Sequence, residues 1–168
     1  MKKLSYLVLF FLLAIPVSAQ NQFKLSSIPF LLSWHNTSKS FQMTDINKRI
    51  STIPHNLIIH NRPVDYEIEK DRISITAAGK TNLFNSPSGK SKVANAPLIL
   101  FEPEADFTMS ARVTGKLKSI YDVAALVIYQ DDDVWAKFCY ENSVHLQPTI
   151  VSVVTRTFSD DCLSLIHI

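Results

Sequence analysis

The sequence predicts an all-β fold, a single antiparallel β-sandwich. Three observations carry that prediction. Glycine is scarce, 3 of 168 residues, and apolar side chains at helical spacing are hard to find. Short runs rich in Val, Ile, Thr and aromatic residues recur between turn signals. Two of those runs are joined only by Asp131-Asp132-Asp133, a link short enough to specify a hairpin. No internal repeat or low-complexity tract interrupts the chain.

The amino end reads as a cleavable export signal. Lys2 and Lys3 precede an apolar run from Leu4 to Pro16, and Val17-Ser18-Ala19 puts small residues where a signal peptidase cuts. The run falls short of the ~20 apolar residues that a spanning helix needs, and it ends in a polar segment. The expected mature start is Gln20. No cysteine follows the run to carry a lipid, so no stable membrane anchor is expected after cleavage, and the protein is expected in the periplasm or outside the cell. Loss of Lys2 and Lys3 leaves fifteen basic against fifteen acidic side chains. Without a basic block or stripe, nucleic acid is excluded as an expected partner.

Strands are expected over Val64 to Lys70 and Arg72 to Ala77 on either side of Asp71, with Ile73 and Ile75 alternating with polar neighbours. Asn85 to Ala96 reads as a loop around the turn Ser86-Pro87-Ser88-Gly89-Lys90. Leu98 to Phe101 follows, and then one long strand, Asp106 to Lys116. In that strand Phe107, Met109, Ala111 and Val113 share a face opposite Thr108, Ser110, Arg112 and Thr114. Val123 to Gln130 and Val134 to Glu141 flank the aspartate turn, and Thr149 to Phe158 is the last strand expected.

The final residues, Leu163-Ser164-Leu165-Ile166-His167-Ile168, are what CTG TCT CTT ATA CAC ATC encodes, a string carried by a transposase sequencing adapter. The expectation is therefore a domain over 20–162, truncated at its C-terminus, behind a leader at 1–19 and ahead of a non-native tail at 163–168. A genomic stop codon directly after Ile168 refutes it.

Successive strand residues point to opposite faces. Trp135, Lys137, Cys139 and Glu141 therefore share one face, and Val134, Ala136, Phe138 and Tyr140 the other. The second set is expected to face the core. The first is expected on the open face with Tyr129 across the hairpin, making Tyr129, Trp135, Lys137 and Glu141 the candidate ligand-binding residues. An aromatic ring beside charged groups suits a sugar, whose C–H face packs on the ring while its hydroxyls take directed hydrogen bonds. The competing reading is a solvated face with a cross-strand Lys–Glu pair.

A resemblance attaches to these residues. Tyr121-Asp122 with the apolar run to Tyr129, Trp135-Ala136-Lys137-Phe138-Cys139-Tyr140-Glu141, and Val151-Ser152-Val153-Val154-Thr155 ahead of Ser159-Asp160-Asp161 resemble the regulation-of-enolase type domain of unknown function. The similarity runs from about Asn82 to Cys162 and fades toward Trp34-His35-Asn36. Cys139 stands where that family usually has glycine. The resemblance implies a concanavalin A-like jelly roll of the lectin/glucanase superfamily, with a carbohydrate as ligand class.

Chemistry beyond binding is weakly signalled. Glucanases of that superfamily carry a glutamate-x-aspartate-x-x-glutamate cluster, and nothing here matches it; Glu67 and Glu69 read as a solvated strand face. No catalytic residue is assigned, and a glycoside hydrolase using Glu141 with an aspartate is the alternative. His35, His55, His60, His145 and His167 have no ligand spacing, so no metal or cofactor is expected, with calcium on Asp131 to Asp133 as the lesser option. Cys139 and Cys162 define no disulfide framework.

Overall fold

The run Val-Ala-Ala-Leu-Val-Ile-Tyr at 123–129 is apolar on both alternating faces, the pattern of a strand covered on both sides. It lies at the heart of the molecule. The structure, a computed structural model, describes residues 6–13, 23–25, 29–31, 44–45, 48–53, 55–103, 107–115 and 117–167. Among them every regular element is a strand and every pairing is antiparallel. Trp34 to Asn36 and the expected cleavage point lie outside the described residues.

The strands are β1 (Tyr6–Leu13), β2 (Phe23–Leu25), β3 (Pro29–Leu31), β4 (Thr44–Asp45), β5 (Ile58–His60), β6 (Asp65–Ile68), β7 (Ile73–Thr76) and β8 (Leu83–Asn85). There follow β9 (Lys92–Ala94), β10 (Leu98–Phe101), β11 (Thr108–Ser110), β12 (Val113–Gly115), β13 (Val123–Asp131), β14 (Val134–Asn142), β15 (Pro148–Arg156) and β16 (Phe158–His167). Eight of them form one sheet in the order β16-β15-β14-β13-β1-β10-β5-β4. Four two-stranded sheets complete the set: β11 with β3, β12 with β2, β6 with β7, and β8 with β9.

Three expectations change. The segment 85–96 is not an open loop: Leu83 to Asn85 pairs with Lys92 to Ala94 around the Ser86–Lys90 turn, where Gly89 takes φ 70. The long strand expected from Asp106 is two short ones, broken at Ala111 and Arg112. Residues 158–167 form β16, paired along β15, where the sequence predicted no strand. Strands β8, β9, β11 and β12, three residues each, leave too few alternating positions for a period to be read.

Burial follows the layers. On one face of the large sheet Leu98, Leu100, Val123, Ala125, Val127, Tyr129, Trp135, Cys139, Val151 and Val153 pack with Leu83 of β8. On the other, Ile59, Ile99, Phe101 and Ile128 pack with Ile73 and Ile75 of β7 and, among partly buried neighbours, Met109 and Val113. All four residues of β10 are consequently buried. The second layer stops short of the β14–β16 end, and there the alternate positions Phe138 (37 % exposed) and Val154 (46 %) face solvent.

Candidate functional site

Register decides which side chains meet. Tyr129 pairs with Trp135 and Trp135 with Thr155; Val127 pairs with Lys137, Lys137 with Val153, and Val153 with Asp161. Val123 pairs with Glu141, and Glu141 with Thr149. Residues directly opposite share a face. Tyr129, Trp135, Lys137, Cys139, Glu141 and Asp161 therefore stand on one side of the sheet, which brings the four predicted residues together.

The side is the reverse of the expected one. Trp135 is 1 % exposed, Tyr129 0 % and Lys137 6 %, whereas Phe138, assigned to the core, is outside. Two-residue alternation holds along β14, but the indole set faces inward, because the β8–β9 hairpin folds over that face, while Phe138 on the other side is 37 % exposed. Cys139 is a buried free thiol, and burial pushes it up to about 12. It fills an apolar position in the inner layer.

The covering hairpin is tied down by polar contacts. Lys137 Nζ donates to the Leu83 carbonyl at 3.0 Å and lies 5.6 Å from the Trp135 ring centroid, so the buried ammonium is met by a carbonyl dipole and an aromatic face. The Asn85 amide donates to the Asp132 and Thr157 carbonyls at 3.0 and 3.1 Å, and its backbone N–H donates to Ser159 Oγ at 2.9 Å. Thr155 Oγ1 and Ser159 Oγ are 2.9 Å apart beneath it. Outside, Lys92 pairs with Asp133 at 2.7 Å. Under the hairpin the Trp135 indole N–H and Asn85 Oδ1 are buried with no hydrogen-bond partner among the described residues.

At the aspartate turn, the Tyr129 hydroxyl donates to Asp132 Oδ1 at 2.5 Å and lies 3.3 Å from His60 Nε2. Burial lowers the pKa of His60, and the Asp132 charge opposes that shift. Burial first, then the hydrogen bond to Asp132 and the neighbouring aspartate charges, raise Tyr129. Sequence reading missed this chain of three, for His60 and Tyr129 lie 69 positions apart and no local spacing joins them.

The other end of the face carries Glu141, while Asp161 stands level with Lys137, across Val153. Glu141 is half-buried, and its carboxyl is held above the ordinary carboxylate range, first by burial, with Asp161 adding to the shift and Lys137 opposing it. Asp161 is exposed. Among the described residues neither carboxylate makes a hydrogen bond or an ion pair. Among the described residues no cluster of three or more His, Cys, Asp or Glu could hold a metal ion, and no helix is long and apolar enough to cross a membrane. Chemically, the face offers two acceptor carboxylates at different levels, Asp161 across from Lys137 and Glu141 further along, with an ammonium, an indole and a phenol on the same side.

The model of a family described as "Protein of unknown function (DUF1349)" matches residues 59–167. No curated protein and no solved structure matches the chain.

Proposed function

The chain belongs to that family, since the match covers well over half its length, and from this premise and the site residues we propose that it is an exported, non-catalytic carbohydrate-binding module with a concanavalin A-like sandwich fold. The ligand engages the inner face of β13–β16 at Glu141 and Asp161, with Lys137 level with Asp161 and Trp135 and Tyr129 as the buried floor. The observation that carries the reading is the pair of carboxylates on one face without any hydrogen-bond or ion-pair partner among the described residues. Buried or half-buried polar groups are ordinarily satisfied, so a group left open at a surface is available to a ligand's hydroxyls. The sandwich reading rests on an eight-stranded sheet with two-stranded sheets packed on it through Leu83 of β8 and Ile73 and Ile75 of β7.

A glycan array probed with the purified protein tests the proposal. Binding to a defined glycan set, weakened at least fivefold by Glu141→Gln and Asp161→Asn together, is the expected result, given the worth of a charge-assisted hydrogen bond. Trp135→Ala is a poor probe, because emptying a buried indole site costs about 3–5 kcal/mol of stability. Absence of binding to every glycan overturns the reading. Export is tested by the mass of the secreted product, which should begin at Gln20.

One observation favours a second reading, a glycoside hydrolase. A carboxyl raised by burial on the same face as a second, exposed carboxylate has the two groups that the acid and base roles of such enzymes use. Release of reducing sugar from a polysaccharide panel, abolished by Glu141→Gln, would establish it.

A further inference from the structure

Residues 6–13 hold two places that exclude each other in the mature protein. They lie within the leader expected to be removed ahead of Gln20, and they form β1, the strand between β10 and β13 in the middle of the large sheet. On one side Leu7 and Val8 pair with Phe101 and Leu100; on the other, pairing runs from Tyr6 with Tyr129 to Leu13 with Val123. Loss of β1 leaves β10 and β13 about 9–10 Å apart, two strand spacings, with Phe101 level with Ile128 and Leu100 level with Val127. All of β10 is buried, and so is 123–129 apart from Leu126. The backbone N–H and C=O groups along both edges then lose their partners inside the protein, where such groups are nearly always paired.

Closing the gap by direct pairing is costly. Each wall is antiparallel to β1, so β10 and β13 run parallel to each other in a sheet whose other pairings are antiparallel. The covering layers already bridge the gap: Leu83 packs in one cluster with Leu100 and Val127, and Ile73 in another with Ile99 and Ile128. Two observations mark the leader as a stand-in for another strand. The family match at 59–167 includes both walls and excludes β1. Between Leu9 and Leu12, moreover, β1 advances three residues while β13 moves two, from Leu126 to Ala124. That bulge leaves one residue of the leader without a partner opposite it.

Resting on the export part of the proposed function, we infer that the mature protein carries a strand-acceptor slot between β10 and β13, which takes an extended, uncharged apolar segment of a partner polypeptide running antiparallel to both walls. In this mode main-chain hydrogen bonds supply affinity and alternate side-chain positions supply specificity. The walls, Leu-Ile-Leu-Phe at 98–101 and Val-Ala-Ala-Leu-Val-Ile-Tyr at 123–129, carry no charge, so the occupant must be apolar on both faces. Tyr6–Leu13, which also lacks any charged residue, shows the composition that fits. Proline is excluded, because the segment donates to a strand on either side. A second copy of this chain does not supply such a segment from the edges of its large sheet: β16 carries Asp160 and Asp161, and β4 is two residues ending in Asp45.

The probe is a fluorescent peptide of residues 6–13 with lysines appended for solubility, titrated against the mature chain from Gln20 and against the full chain. Binding to the mature chain is expected to be at least roughly tenfold tighter, since in the full chain the tethered leader competes at high effective concentration. On binding, amide exchange across 98–101 and 123–129 should slow by roughly tenfold or more. Val8→Pro in the peptide should abolish the effect, because Val8 is paired on both sides. Equal binding to both chains would place the peptide on an exposed apolar surface, and overturns the inference. So does a peptide-free mature chain whose amides in those two stretches are as protected as in the full chain. If the mature chain aggregates alone, recovery of a soluble, protected monomer on refolding with the peptide supports the slot, and aggregation in its presence overturns it. A secreted product that still begins at Met1 sinks the export reading and this inference with it. A product that begins at Gln20 but takes no peptide sinks the inference alone.

Discussion

Lys137 is the residue whose placement is hardest to justify on composition. A lysine is seldom fully buried, and an ammonium drawn out of water must find compensation. Here the compensation is the Leu83 carbonyl, the Trp135 ring and an aliphatic stem laid along the inner layer. Lys137→Met, which keeps the stem but leaves that carbonyl without its donor, should cost about 1–2 kcal/mol in urea unfolding. Lys137→Ala should cost about 1 kcal/mol more, for the lost packing. Glu141 gives a pH signature of definite sign. Its folded pKa lies above the ordinary 4.5, so between 4.5 and the folded value the native state binds more protons than the unfolded chain. Stability should therefore fall as pH rises through that window, and Glu141→Gln should flatten the fall in urea midpoints; an unchanged slope would show that the carboxyl is not perturbed by folding. At this scale the grouping of Trp135, Lys137 and Glu141 on one face was legible, since alternation is a local property of a strand. Which face it was could not be read, because both sets along β14 contain large apolar residues.

The β8–β9 hairpin is the element that makes that face an interior. Its Ser-Pro-Ser-Gly-Lys turn is visible in the sequence, but flanks of three residues each are too short to announce a strand pair. Its attachments differ in worth according to burial. Asn85 is almost completely buried and bridges the hairpin to the aspartate turn at Asp132 and to the β15–β16 turn at Thr157. Asn85→Ala removes both bonds and leaves two carbonyls to be resatisfied, so it should lower stability by about 2 kcal/mol. Asp133→Asn cuts only the ion pair with Lys92, whose side chains are 46 % and 54 % exposed, and should change stability by less than about 0.5 kcal/mol. Chemical denaturation of the two variants side by side checks the ordering. An equal cost would mean that the hairpin is held by its surface charges instead of by the buried amide.

The whole molecule is a large sheet covered on both faces at its centre and on only one at the β14–β16 end. Phe138 and Val154 are the consequence, large apolar side chains exposed on the outer side of the sheet, while the exposed Phe158 ring lies beside Gly89 of the β8–β9 turn. Exposed apolar strands near a sheet edge invite association. Phe138→Ser with Val154→Thr should reduce self-association in light scattering and dye binding, while the melting temperature stays nearly constant; an undiminished scattering signal would place the sticky surface elsewhere. The position of β1 shows how a single pattern serves two readings. Tyr6 to Leu13 belongs to the apolar run expected to be an export signal, and in the whole chain it is a strand between β10 and β13. A continuous apolar run suits either the core of a leader or a strand covered on both faces, and periodicity alone does not separate them. By itself the sequence determined what depends on neighbours along the chain: the all-β class, the hairpin at the aspartate turn and the alternation that groups the site residues. Only the tertiary structure decided which side of the sheet is inside, where each layer ends, and that His60 meets Tyr129. Those outcomes depend on segments tens of residues away folding back over the strand, and no short-range period carries that information.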